Sequence, residues 1–125
     1  MIAEHWKDEP DEHDFPAAAD YLSLLFSPRE AGAFAESLRS AKTEHRKAKD
    51  LLRASRLQAL PADNVHVRSD LEKVAEGRKL SPALLVRGRA VNDMPLLIAD
   101  GYHRICASHH IDENADVSCR IVDLP

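Results

Sequence analysis

The sequence predicts an α/β domain, more finely α+β: a small mixed β-sheet with packed helices, preceded by an N-terminal helical extension. Three observations predict it. The first third of the chain carries apolar residues at helical spacing, with a helix start signal at Ser27-Pro28-Arg29-Glu30. Two apolar runs, "PALLVRG" and "PLLIAD", each open with a proline and have the length of buried strands. A third run, "VSCRIVD", closes the chain after one further helical stretch. The resulting order, helices followed by strand–helix–strand–strand–helix–strand, suits helices supported on a small mixed sheet.

Residues 1–14 are acidic, contain Pro10 and lack periodicity, so they read as a mobile tail. From Pro16, Ala18, Leu22, Leu25 and Phe26 share one helical face. Ser27 caps the next helix, Pro28 fits its first position and Glu30 completes a capping box. Ala31, Phe34, Ala35 and Leu38 are that helix's buried stripe, with Phe26 and Phe34 pairing between the two helices. Residues 15–42 thus form the extension, and residues 15–125 a single domain.

A third helix is expected over residues 43–55, with Ala48, Leu51, Leu52 and Ser55 on its apolar side. Its other sides carry Lys42, His45, Arg46, Lys47, Lys49, Arg53 and Arg56. That is either a surface for phosphate or nucleic acid or a solvated face, with Glu44 and Asp50 diluting it. Val65 and Val67 alternate with His66 and Arg68, which predicts a short extended piece. Ser69 then caps a short helix over residues 70–76 that stops at Gly77 in the left-handed conformation. Residues 89–94 connect the two proline-led strands, and a last helix runs over residues 101–110.

Composition bounds the function. A chain of 125 residues with 44% hydrophobic residues supports one domain with a real core. No apolar stretch has the length of a membrane span, and the acidic N-terminus is unlike a signal peptide. Cys106 and Cys119 have no metal or redox spacing, so free thiols in a reducing cytoplasm are expected. The net charge of −4 argues against direct nucleic-acid binding but does not bear on a local basic patch.

The chemistry concentrates at "LLIADGYHRICASHH", where a buried strand meets Asp100-Gly101-Tyr102-His103-Arg104 at a helix start. With "SDLEKVAEG", "LSPALLVRG" and "ADVSCRIV" around it, this turn resembles the ParB/sulfiredoxin superfamily, over about half the chain. That fold is shared by ParB N-terminal domains, sulfiredoxin and an archaeal free serine kinase. The turn is similar to the Asp-Gly-His-His-Arg of kinase-like members and the Gly-Cys-His-Arg of sulfiredoxin. It is further from the Gly-Glu-Arg-Arg of chromosome-partitioning ParB.

The resemblance implies a nucleotide-phosphate site at Asp100, Gly101, Tyr102, His103 and Arg104. It also implies a nucleotide ligand, ATP, ADP or CTP, accompanied by Mg2+. The physics agrees. The first amides of a helix have no internal partner and point along the positive end of its dipole. Gly101 lets a phosphate approach the backbone, Arg104 offers a planar fork of donors, and His103 can donate from its ring. On the helical wheel Tyr102, Ile105 and Cys106 face inward and Arg104 faces away, so replacing Arg104 is expected to leave the fold intact.

The departures limit the activity. Tyr102 stands where sulfiredoxin needs its cysteine, which argues against sulfinic-acid repair, and Cys106 lies one turn on, on the apolar side. A CTP-gated DNA clamp is not expected, because the chain ends at Pro125 without a DNA-binding region. Phosphotransfer or hydrolysis needs a carboxylate base, for which Asp63, Asp70, Glu72 and Asp100 are candidates that the sequence does not separate. His103, Cys106, His109 and His110 fall within two turns but match no metal motif, and no metal site is expected there. Two functions stay open. One is a nucleotide-binding protein with or without phosphotransfer. The other is a non-catalytic adaptor, binding a protein partner or forming a homodimer through the N-terminal helices.

Overall fold

A computed structural model describes residues 5–125. Helices α1 (Asp14–Leu22) and α2 (Pro28–Ser40) come first, followed by strand β1 (Glu44–Lys47) and helices α3 (Ala48–Ser55) and α4 (Val65–Ala75). Strands β2 (Ala83–Val86) and β3 (Leu97–Asp100), helix α5 (Tyr102–Ile111) and strand β4 (Asp116–Val122) complete the order. The sheet runs β1-β4-β2-β3, with β2 and β4 parallel and both edge strands antiparallel to their neighbours. The two proline-led strands are therefore neighbours in one sheet that also holds β4, as their composition predicts.

Side chains alternate across the central strands. Ala83, Leu85, Ile98, Val117 and Cys119 join α3, α4 and α5 in one core, which includes Leu51, Val67 and Ile105. Leu84, Val86 and Ala99 face the other way, into a core made with Phe15, Ala18 and Leu22 of α1 and Phe34 and Leu38 of α2. The N-terminal helices thus cover one face of the sheet. The start signal at Ser27 acts as read: the Ser27 hydroxyl accepts from the Glu30 amide, and the Glu30 carboxylate accepts from the Ser27 amide. Helix α1 stops at Leu22, which leaves Leu25 outside its stripe and largely exposed.

Four expectations are corrected. Residues 5–14, expected within a mobile tail, are anchored at Trp6 and Asp14, both buried, with Lys7, Asp8, Glu9, Glu12 and His13 exposed between them; residues 1–4 lie outside the described residues. Trp6 is buried in the core, pairs alongside Leu80, and donates from its indole to the Asp116 carbonyl at 3.1 Å. A single large aromatic outweighs the acidic composition around it.

Residues 44–47 are a strand, because pairing with β4 satisfies their backbone and overrides a weak helical preference. The helix begins only at Ala48, whose amide donates to the Ala115 carbonyl, while that of Lys49 donates to Glu113. The supposed extended piece at Val65–Val67 is the first turn of α4. Asn64 caps it, accepting from the amides of His66 and Val67 at 3.0 and 3.2 Å. Ser69, expected as the cap, lies inside the helix.

Candidate functional site

Strand β3 ends at Asp100, and Gly101 turns the chain into α5 with φ 102°. That left-handed backbone favours glycine. Space demands it too: a Cβ at Gly101 would lie 2.9 Å from the Ala83 Cβ and 2.9 Å from the Arg104 guanidinium. Glycine is thus required by the protein's own packing, apart from any approach of a phosphate. The amides of Tyr102, His103 and Arg104 open the helix, the first intrahelical bond running from Ile105 to the Gly101 carbonyl at 3.0 Å.

Arg104 is not a free fork on the surface. Its side chain is 17% exposed, and its guanidinium donates to Asp100 at 2.9 Å and to the Pro82 carbonyl at 3.3 Å. The buried Asp14 carboxylate lies 3.9 Å away and accepts from the Ser81 hydroxyl at 2.7 Å. Arg104 therefore holds two carboxylates brought together from α1 and β3. Burial raises the Asp100 pKa, Arg104 opposes the rise and Asp14 adds to it. Because the guanidinium is part of this cluster, its removal is expected to cost stability, where the helical wheel alone predicts no cost.

His103 faces His66 across the mouth of the turn, ring centroids 4.8 Å apart. Burial lowers its pKa, with His66 and Arg104 adding to the effect and Asp70 opposing it. Tyr102 faces inward, as the helical wheel predicts, but its side chain does not join the site that the resemblance implies. Its ring packs against the core and its hydroxyl donates to the Gln58 carbonyl, so its side chain is not part of the pocket lining.

Around the turn lie two adjoining pockets of about 240 and 470 Å³ that share Asp70, Lys73 and Arg104. The smaller contains Gly101, His103, Asp100, His66 and Ser69. The larger brings Lys7, Lys73, Arg78, Lys79 and Arg104 against two aspartates, Asp11 and Asp70. This basic concavity is built from the N-terminal segment, α4 and its exit loop, and α5, in a chain whose net charge is −4.

Of the four carboxylates considered as a base, the structure separates Asp70. Asp63 and Glu72 are exposed and line neither pocket, and Asp100 is engaged by Arg104. Asp70 lies on the wall common to both, 3.7 Å from the Lys73 ammonium. Burial raises its pKa, against the opposing effect of Lys73.

His66, Ser69 and Lys73 were not expected at this site. They stand with Asp70 at i, i+3, i+4 and i+7 on one face of α4, a signal hidden by reading residues 65–68 as extended. Lys7, Asp11 and Asp14 were missed with the N-terminal segment. Ligand atoms of Asp11, His13 and Asp14 lie within 4.8 Å of one another at the edge of the larger pocket. Cys106 points into the core, its sulfur accepting from the Leu60 amide at 3.4 Å, and Cys119 is buried with its pKa pushed up to about 12.

No family model, no curated protein and no solved structure matches this chain. Among the described residues, no helix is long and apolar enough to cross a membrane.

Proposed function

We propose that this chain is a nucleotide-binding protein of the ParB/sulfiredoxin type, taking the phosphates of ATP, ADP or CTP at the Gly101 turn. One observation carries the reading: five Lys and Arg side chains from separate segments line a pocket that adjoins the one at the α5 start, Lys73 and Arg104 bordering both, in an acidic protein. Phosphate oxygens meet the first amides of α5 and the Lys73 and Lys79 ammonium groups, with Arg104 held at the back by Asp100. His103 donates from its ring at the rim, and an anion there favours its charged form.

Mg2+ takes oxygen ligands and keeps much of its water. Asp11 fits that chemistry: its carboxylate is at the pocket edge, and its hydrogen bond from Lys7 lowers its pKa. Magnesium bound there would neutralise phosphate charge. Asp70 is the residue through which phosphotransfer or hydrolysis would run, accepting a proton from a hydroxyl or water beside the terminal phosphate. Sulfinic-acid repair is not proposed, since the hydroxyl of Tyr102 is directed to Gln58 and Cys106 is buried.

Titration calorimetry with ATP, ADP, CTP and GTP plus magnesium tests the binding. Lys73→Ala and Lys79→Ala should each weaken it by about 1.5 kcal/mol, the lower range for a hydrogen bond to a charged group. No binding by the wild type at millimolar nucleotide, or equal affinity in all three proteins, refutes the proposal. Phosphate release from ATP by wild type but not by Asp70→Asn would establish catalysis.

A second reading has its own support. Leu24 and Leu25, at the turn between α1 and α2, are 81% and 53% exposed, beside the partly exposed Tyr21. Exposed apolar side chains at one corner suit an adaptor that docks a protein partner or a second copy there. Sedimentation of wild type and Leu24→Asp tests the second-copy form: a dimer lost in the variant supports it.

A further inference from the structure

A third pocket lies at the opposite end of β3. Leu96 precedes that strand and Gly101 follows it, so five residue steps, about 17 Å of extended chain, separate the two sites. The pocket encloses about 500 Å³ and shares no lining residue with the phosphate site. Leu51 and Ala54 of α3, Met94, Leu96 and Ile121 make its apolar surface. The Leu96 amide donates to the Ala54 carbonyl at 3.0 Å, tying the helix to the start of β3. Gly88 closes the loop tightly, since a Cβ there would fall 2.5 Å from the Met94 carbonyl. The walls are therefore preformed.

Four arginines stand around this apolar surface, Arg46, Arg53, Arg56 and Arg87, against one lining acid, Asp50. Arg46, Arg56 and Arg87 hold Glu44, Asp93 and Asp123 at 3.1, 2.6 and 2.5 Å. A guanidinium has five N–H donors, so each keeps donors after one such pair. Arg53 has no carboxylate at ion-pair distance among the described residues. Among those residues, the only non-glycine positions with positive φ are Arg56 at 60° and Asp93 at 55°, and the ion pair joining them sits at this pocket. Each closes a helical turn in the left-handed conformation, Arg56 after α3 and Asp93 after the turn at Ala90–Asn92, so the pair fixes the rim of the pocket.

The chemistry selects the ligand. A nucleic acid would need an open basic track, whereas this surface is concave and apolar. A nucleobase would need donors and acceptors for its edges, and the surface offers mainly methyl and methylene groups. We propose that this pocket binds a small organic anion with an apolar tail, the tail against Leu51, Leu96 and Ile121 and the anionic head on Arg53 and Arg87. Part of the basic stretch around α3 thereby becomes a ligand rim, while its lysines stay outside the pocket.

The test uses octanoate, octyl phosphate and neutral 1-octanol, followed by amide chemical shifts of the full chain. At least one anion should bind saturably, shifting Leu51, Ala54 and Leu96, and 1-octanol should bind about tenfold more weakly or worse. The double variant Arg53→Gln/Arg87→Gln should lose about tenfold in anion affinity with unfolding temperature unchanged, since both side chains are exposed. Comparing the two anions assigns the head group as carboxylate or phosphate. Excess ATP should not displace the anion, so the result stands apart from nucleotide binding at Gly101. Equal binding of 1-octanol, equal affinity in the double variant, or no saturable shift at millimolar anion overturns the proposal.

Discussion

Replacing Arg104 with alanine removes the cation from a cluster of two carboxylates that the fold has largely withdrawn from water. The Asp14 side chain is 3% exposed and that of Asp100 is 19% exposed, with Arg104 between them. Breaking a fully buried pair costs about 3–5 kcal/mol, and an exposed one less than about 1. The Asp100 contact is short but partly wet and the Asp14 contact is long, so the expected loss is about 2–3 kcal/mol. For 125 residues the unfolding entropy makes each kcal/mol worth about 4 °C, which gives a fall of about 8–11 °C in Tm at pH 7.

The pH dependence follows from the same cluster. Folded Asp100 has a pKa above its ordinary value, so the native state holds that proton more tightly than the unfolded chain. Its contribution is present below the ordinary carboxylate pKa and is lost as pH rises through the folded value. Without Arg104 the carboxylate pKa rises further, and the loss on ionisation grows. The variant's deficit should therefore be largest at pH 7 and shrink towards pH 4, where the proton neutralises the site. Calorimetric unfolding of both proteins at the two pH values measures it. A Tm within about 2 °C of wild type at pH 7, or a deficit unchanged at pH 4, would refute the cluster as a stabilising unit.

Trp6→Ala should cost about 3–5 kcal/mol in urea unfolding, the range for deleting a buried aromatic, whereas a detached N-terminal segment would lose almost nothing. Gly101→Ala should destabilise by at least about 2 kcal/mol, from the positive φ and the contact with Ala83, even with no nucleotide present. A neutral effect there would mean that the glycine serves only the ligand. Phosphate affinity should rise as pH falls from 7.5 to 5.5, because burial keeps His103 neutral until an anion favours its proton. His103→Gln should flatten that slope in calorimetry, and an unchanged slope would remove the histidine from the site.

The helix pair at Ser27-Pro28, the two proline-led strands and the Gly101 turn were legible in the sequence because each rests on local signals. A capping box, a proline at a first turn and a continuous apolar run act within a few residues of themselves. The candidate turn was legible for the same reason, as a glycine between a buried strand and a helix. Tertiary contacts decided the rest. Residues 44–47 became a strand because β4 offered an edge, and the Trp6 segment became core because its partners, Leu80 and Asp116, are remote in the chain. The wall of Lys73, Asp70 and Lys7 arises only when α4 and the N-terminal segment come beside α5. Arg104 changed role on the same ground. Its spacing places it on a polar helix face, but which groups lie opposite that face depends on Asp14, ninety residues earlier. Periodicity carries the direction of a side chain, and long-range packing supplies what it meets.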